Sequence, residues 1–300
     1  MQVLVTGGAG FIGKHLVASL LEAGNDVVVV DNLRRANRQA VPAGARFVEG
    51  DIRNGEVVRD VMVGCERVYH LAAQSNVMGA VTDVDYSFTS NVVGTYHVLS
   101  CAVELGVKRV IFTSSREVYG EVERLPVAED RLTTPKNGYG ASKVAGEAYC
   151  RVFEASYGLD VNVLRLANVY GPGDRDRVIP IWLDRAHRGE CLELFGGEQV
   201  LDFVPVELVV RALLHAGEMS LDGTPVNVGS GMGTPLKDLA ALIQRLPGAR
   251  VDVSILPARS IEVTRFVADV TRMRAVLGLQ PPDEPLANLS TLWDGMRALV

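Results

Sequence analysis

Tyr139 and Lys143 stand four residues apart in the segment Tyr139-Gly140-Ala141-Ser142-Lys143. On a helix that spacing puts both side chains on one face, one turn apart. A phenol ordinarily titrates near about 10. A neighbouring ammonium favours the phenolate and moves it toward use as a base at neutral pH. A β-branched run ending Thr113-Ser114-Ser115 precedes the pair, and the Ser115 hydroxyl can hydrogen-bond the oxygen that gives up its proton. By spacing alone a Tyr-x-x-x-Lys pair is more often an ordinary surface pair. Its place after the fifth strand, at the sheet edge where such folds bind ligands, gives it weight.

A second constellation points to a dinucleotide. Gly7, Gly10 and Gly13 fall in Gly7-Gly8-Ala9-Gly10-Phe11-Ile12-Gly13, after an apolar strand and at the start of a helix. Glycines there allow a tight turn, let the backbone approach a pyrophosphate, and let helix and strand pack closely. The helix start then offers free N–H groups to the anion. A purely structural turn is the alternative for the glycines alone. Asp31, at the end of the second strand, strengthens the binding reading, because a carboxylate there accepts from ribose hydroxyls and repels a 2′-phosphate. That favours NAD over NADP, although Arg34, Arg35 and Arg38 lie close enough to serve a 2′-phosphate. Asp51, in Asp51-Ile52-Arg53, is placed to reach the adenine edge or to act as a turn residue.

These residues need a frame. Near-continuous apolar runs at Gln2–Thr6, Asp26–Asp31, Arg46–Glu49, Arg67–Leu71, Arg109–Ser114 and Val161–Leu166 read as parallel strands covered on both faces. Between the first two, Lys14–Ala23 carries Leu16, Val17, Leu20 and Leu21 on one helical face and stops at Gly24. The alternation predicts an α/β fold, a doubly wound Rossmann sheet with a smaller C-terminal substrate-binding domain. We expect residues 1–172 to form the NAD-binding domain and residues 173–300 the substrate-binding domain. Part of 202–230 is expected to return to the first.

Bulk properties agree with a globular enzyme. The chain has 300 residues, 48% of them hydrophobic and 22% charged, with a net charge of −6. Scattered cations argue against nucleic acid. The apolar runs are too short to cross a bilayer. No basic n-region or cleavage site precedes Val3, so no signal peptide is expected. Cys65, Cys101, Cys150 and Cys191 form no CxxC pair, so reduced thiols in the cytoplasm and no bound metal are expected.

The landmarks together resemble the extended short-chain dehydrogenase/reductase superfamily, and within it the NAD-dependent nucleotide-sugar epimerase/dehydratase family. They are Val5-Thr6 with the glycine loop, Asp31-Asn32-Leu33, Asp51-Ile52-Arg53, His70-Leu71-Ala72-Ala73, Asn91-Val92-Val93-Gly94-Thr95, and Ser114-Ser115 before Val118-Tyr119-Gly120. Tyr139 with Lys143, then Arg165 and Asn168-Val169-Tyr170-Gly171-Pro172, complete the set. The resemblance implies that Ser115 bridges to the sugar hydroxyl, Tyr139 is the acid/base, and Lys143 holds the nicotinamide ribose and tunes Tyr139. It implies cofactor contacts from Gly7, Gly10, Phe11, Ile12, Gly13, Asp31, Asn32, Asp51, Ile52, Leu71, Ala72 and Ala73. Asn168 would meet the substrate diphosphate, and Arg259 and Glu262, from Arg259-Ser260-Ile261-Glu262, its phosphate and ribose.

Two departures bear on the reaction. Leu201-Asp202-Phe203 stands where relatives often carry Arg-Asp-Phe, leaving Arg175, Arg177 or Arg185 to meet the phosphates. Arg177 also resembles a residue lining the substrate. Ser115-Arg116-Glu117 offers Glu117 as a base, with a salt bridge to Arg116 as its plainer role. Arg116 cannot be a carboxylic acid donor, which disfavours a 4,6-dehydratase. The expected activity is a nucleotide-sugar 4-epimerase on a UDP-hexose or UDP-uronic acid, working through a 4-keto intermediate with tightly held NAD. A UDP-glucuronate decarboxylase is the alternative, since Arg116 or Arg177 could meet a carboxylate. A non-catalytic NAD-binding scaffold is a remote third. Helix candidates Tyr86–Leu105 and Gly140–Tyr157 imply, by the resemblance, a homodimer.

Overall fold

The computed structural model describes residues 1–297. Seven parallel strands form the main sheet: β1 (Gln2–Thr6), β2 (Asp26–Asp31), β3 (Arg46–Glu49), β4 (Arg67–His70), β5 (Arg109–Ser115), β6 (Asp160–Leu166) and, much later in the chain, β10 (Val226–Val228). Their order is β10-β6-β5-β4-β1-β2-β3. The chain therefore starts in the middle of the sheet, builds outward to β3, then crosses back past β1 to β4. That reversal opens a crevice at the carboxyl ends of β1 and β4, where ligands of such sheets bind.

Side chains alternate across these strands. Val3, Val5, Val27 and Val29 enter one core with α1 (Phe11–Glu22) and α8 (Val206–Glu218). Leu4, Val28 and Val30 enter the other, with α2 (Gly55–Met62), α5 (Gly94–Glu104) and α6 (Gly138–Tyr157). Both faces are covered, so the apolar runs have no polar face. The first helix begins at Phe11, three residues before the expected Lys14, because its opening turn belongs to the glycine loop. The expected Tyr86–Leu105 helix is composite. After α3 (Val77–Thr82), α4 (Val84–Phe88) runs through a wide π-helical turn at Thr89–Val93 into α5.

Beyond β6 the chain builds a second layer. The strands β7 (Asn168–Tyr170), β9 (Val200–Pro205), β11 (Gly233–Pro235) and β13 (Arg265–Phe266) form a small mixed sheet. A separate pair joins β8 (Leu192–Phe195) to β12 (Val253–Leu256). Around them α7 (Val178–His187), α9 (Leu236–Gln244) and α11 (Leu289–Arg297) enclose a third core with Trp182, Phe203, Leu239 and Trp293. The segment 202–205 stays in β9, and the return to the main sheet begins only at Val206, with α8 and then β10. The short α10 (Thr271–Leu277) packs against both of them. No helix of the described residues is long and apolar enough to cross a membrane.

Candidate active site

A cavity of about 790 Å³ runs from the glycine loop, across the ends of β4 and β5, to the small sheet. Its first end is shaped by close backbone approach. Gly7 has φ of +72°, and a Cβ there would lie 2.7 Å from the Ala72 amide nitrogen. A Cβ at Gly13 would lie 2.2 Å from the Gly7 carbonyl oxygen. A Cβ at Gly10 would meet that same carbonyl at 3.1 Å and nothing else within 4 Å, and Gly10 lines the cavity. No side chain caps the start of α1. Gly10, Phe11, Ile12 and Gly13 line the cavity, so the uncapped opening turn of α1 stands at its wall, where an anion can be bound.

Asp31 closes this end. Its Oδ2 accepts from the Ala9 amide at 3.1 Å and its Oδ1 from the Leu33 amide at 2.9 Å. Beside it Asn32 donates to Asp51 at 2.9 Å and to the Tyr86 hydroxyl at 3.0 Å. Asp51 also takes three hydrogen bonds from Arg53, which hold its carboxyl below the usual range against the cost of burial. Ile52 packs so tightly on Gly94 that a Cβ there would lie 2.6 Å from its Cδ1. Arg34 is engaged by Asp83 and by the Tyr86 ring, and Arg35 by Asp176. Two of the cations near Asp31 are thus already paired. The glycine cradle, the uncapped helix start and the Asp31 carboxylate fit NAD.

The floor explains the His70-Leu71-Ala72-Ala73 motif. The Ala72 amide donates to Thr6 Oγ1 at 3.2 Å, and Thr95 Oγ1 donates to the Asn91 carbonyl at 2.6 Å. Those bonds assign the His70 tautomer: Nδ1 accepts from Thr6 Oγ1 at 2.7 Å, and Nε2 donates to Thr95 Oγ1 at 3.0 Å. Complete burial lowers the imidazole to about 3, so it stays neutral.

At the centre, Tyr139 and Lys143 lie on one face of α6 and line the cavity with Ser115. The Lys143 ammonium donates to the Thr113 carbonyl at 2.8 Å and lies 5.9 Å from the Tyr139 ring centre. The Ser115 hydroxyl is close enough to the Tyr139 phenol to favour its phenolate. Burial pushes the phenol up to about 12, opposed by Arg177, by the Ser115 hydroxyl and by Arg116. The same burial brings Lys143 down to about 8. A positive charge added beside this pair draws the phenol down toward the working range of a base.

Glu117 forms the salt bridge to Arg116. Its Oε1 is paired with Arg116 at 2.9 Å and its Oε2 accepts from Asn137 at 2.7 Å. Asn137 caps α6 through the Gly140 amide at 2.8 Å, so Glu117 steadies the start of the helix that carries Tyr139. The sequence signal for Asn137 was present, as an N-cap residue three positions before Gly140. Asn168 is likewise engaged, accepting from Arg116 at 3.1 Å and donating to the Asp202 carbonyl at 3.1 Å.

The far end is lined by Arg177, Gln199, Leu201, Arg259 and Glu262. Arg259 lies 3.5 Å over the Phe195 ring and pairs with Glu262 at 2.9 Å. Arg177 pairs with Asp174 at 2.8 Å and precedes α7. Leu201 leaves no cation at its place in β9. Its neighbour Asp202 is fully buried and accepts from the amides of Ser230, Gly231 and Ala268 and from the Ser230 hydroxyl. Spacing in the sequence could not reveal that cross-link.

A parallel sheet with a glycine-lined crevice and a Tyr–Lys pair at its edge defines a Rossmann-type dinucleotide-dependent enzyme. The sequence profile of the NAD dependent epimerase/dehydratase family matches residues 3–229. The chain belongs to that family. A UDP-glucose 4-epimerase from Mycolicibacterium smegmatis is 35% identical over 293 residues, covering 94% of each chain. The crystal structure of the Thermotoga maritima UDP-glucose 4-epimerase with UDP-glucose matches at a TM-score of 0.95 and 36% identity, covering 100% of this chain and 99% of that one. MoeE5 in complex with UDP-glucuronic acid and NAD matches at 0.92 and 33%, with both chains fully covered.

Proposed function

We propose that the protein is an NAD-dependent 4-epimerase of UDP-sugars, taking a UDP-hexose or a UDP-uronic acid. The observation that carries this reading is the convergence of Ser115, Tyr139 and Lys143, the last two one helical turn apart, in the same cavity as the glycine cradle. NAD, when bound, would supply the acceptor for the C4 hydride and its return, and in its oxidised form a positive charge beside the phenol. Tyr139 takes the proton of the C4 hydroxyl and later restores it. Ser115 holds that oxygen, and the Lys143 ammonium, anchored on the Thr113 carbonyl, favours the phenolate. Arg259, braced on Phe195 and Glu262, and Arg177 meet the diphosphate end. The cradle and the residues to 172 serve NAD, and the layer from 173 covers the sugar nucleotide. Arg116, which cannot donate a proton as a carboxylic acid, supports epimerisation over dehydration. In the test, pure protein is incubated with UDP-glucose, UDP-galactose and UDP-glucuronate, with products followed by NMR. Products inverted at C4 with all carbons retained are expected; carbon dioxide from UDP-glucuronate would overturn the reading.

A homodimer accompanies this proposal. Val84, Phe88, Tyr96, Tyr149, Val152 and Tyr157 leave an exposed apolar face across α4, α5 and α6, with Tyr96 and Tyr149 in edge contact at 6.1 Å. Light scattering should give twice the chain mass, and Phe88→Arg combined with Val152→Arg should halve it. The unpaired thiols suit the cytoplasm.

A further inference from the structure

Tyr139 and Lys143 share their helix face with a third side chain, Glu147, one turn further on. Its carboxylate is 1% exposed and belongs to the buried network under the cavity floor. Oε1 accepts from the Ser114 hydroxyl at 2.5 Å and from Arg165 Nε at 2.9 Å, while Oε2 accepts from Arg165 Nη2 at 2.7 Å. Arg165 Nη1 continues to the Tyr119 hydroxyl and the Glu129 carbonyl, both at 2.9 Å, and Tyr119 donates to Asn227 in β10 at 2.7 Å. One carboxylate therefore ties α6 to the end of β5, where Ser114 adjoins Ser115, and to β6.

We propose that Glu147 is a positioning residue, which clamps the helix bearing Tyr139 and Lys143 to the strand end bearing Ser115, one helical turn from Lys143. The proposal rests on the epimerase reading for its effect on turnover, but not for its effect on Lys143. A buried ion pair is a poor stabiliser, since apolar residues of like volume often do as well. Its location is informative: the pair joins the three elements whose relative placement sets the Ser115–Tyr139–Lys143 geometry. Small misplacements of such groups are costly to rate.

The groups facing Lys143 are few. Tyr139, Glu147 and Cys150 come from its own helix, neutral His70 from β4, and the Thr113 carbonyl and Phe112 ring from β5; Arg165 in β6 lies beyond Glu147. Of these, Glu147 is the one anionic carboxylate. Removing its charge shifts Lys143 toward the neutral amine, so the ammonium is lost at a lower pH.

The test uses the full chain with Glu147→Gln. Lysine labelled with carbon-13 gives only the signals of Lys14, Lys108, Lys136, Lys143 and Lys237, so Lys143 can be titrated by NMR without any substrate. Its midpoint should fall by about one pH unit. With UDP-sugar, kcat should fall about tenfold or more while KM stays within about threefold, and the alkaline limb of kcat should move down with the lysine. An unchanged titration and unchanged kcat in a folded variant would overturn the proposal, leaving a purely structural ion pair. Should Glu147→Gln not fold, Ser114→Ala keeps the ion pair and loosens only the strand end. It should lower kcat about threefold without moving the lysine midpoint, and an unaltered kcat there would equally overturn the proposal. Absence of epimerase activity in the unmodified protein counts against the proposed function alone, because the lysine titration still tests the clamp.

Discussion

The two ends of the cavity are built in opposite ways. At the cradle, each wall comes from a short stretch of chain at the end of a strand: Gly7–Gly13 after β1, Asp31 closing β2, Leu71–Ala73 after β4 and Ser115 closing β5. At the far end, Arg177, Gln199, Leu201, Arg259 and Glu262 are gathered from loops and small strands, and Asp202 cross-links β9 there to the segments at Ser230 and Ala268 across long sequence separations. The first wall is local chemistry repeated at a sheet edge. The second is tertiary packing. The difference predicts where substitutions abolish the reaction and where they alter recognition.

At the strongest point of the cradle side, Tyr139→Phe should lower kcat about a thousandfold while NAD remains bound, measured by steady-state turnover and cofactor content after gel filtration. Next, Gly13→Ala should abolish NAD retention, because the added methyl group meets the Gly7 carbonyl backbone at 2.2 Å. A variant that keeps its cofactor would break the claim that backbone approach builds this end. On the far side, Asp202→Ala should cost about 3 kcal/mol in urea unfolding, since it leaves two buried amides and a part-buried one without their acceptor. Arg259→Ala should raise KM for the UDP-sugar about tenfold with kcat within about threefold. A large fall in kcat instead would mean that the far wall takes part in the chemistry and would erase the contrast.

The smallest effect is one of pH on stability. His70 is held neutral in the fold with a pKa of about 3, against an ordinary 6.5. Below pH 6.5 the unfolded chain binds a proton that the folded one refuses. This part of the stability is therefore complete above pH 6.5 and is lost as pH falls toward 3. The urea midpoint should drop between pH 7 and 5, and less so in His70→Gln.

The same contrast sets what could be read from the residues alone. The strand runs, the glycine loop, Asp31 and the Tyr139–Lys143 spacing carry local signals, and six strands of the main sheet emerge close to their expected bounds. The seventh, β10, could not be placed, because three residues arriving after a long excursion carry no periodicity of their own. Glu117 shows the limit within the site. Its type and position suit a base, but the Asn137 side chain that meets its second oxygen arrives from a loop twenty residues on, which no spacing announces. Arg259 and Glu262 stand together at a cavity wall, but the Phe195 ring beneath the guanidinium comes from a strand pairing that no spacing announces.

The central claim is that one carbon of the sugar loses a hydride and regains it while Tyr139 exchanges the proton of the attached oxygen. It is tested most directly by converting UDP-glucose deuterated at C4 in ordinary water and examining the product by NMR. The account predicts UDP-galactose with the deuterium still on C4. Hydrogen from solvent at that carbon, or a product with C4 not inverted, would contradict it.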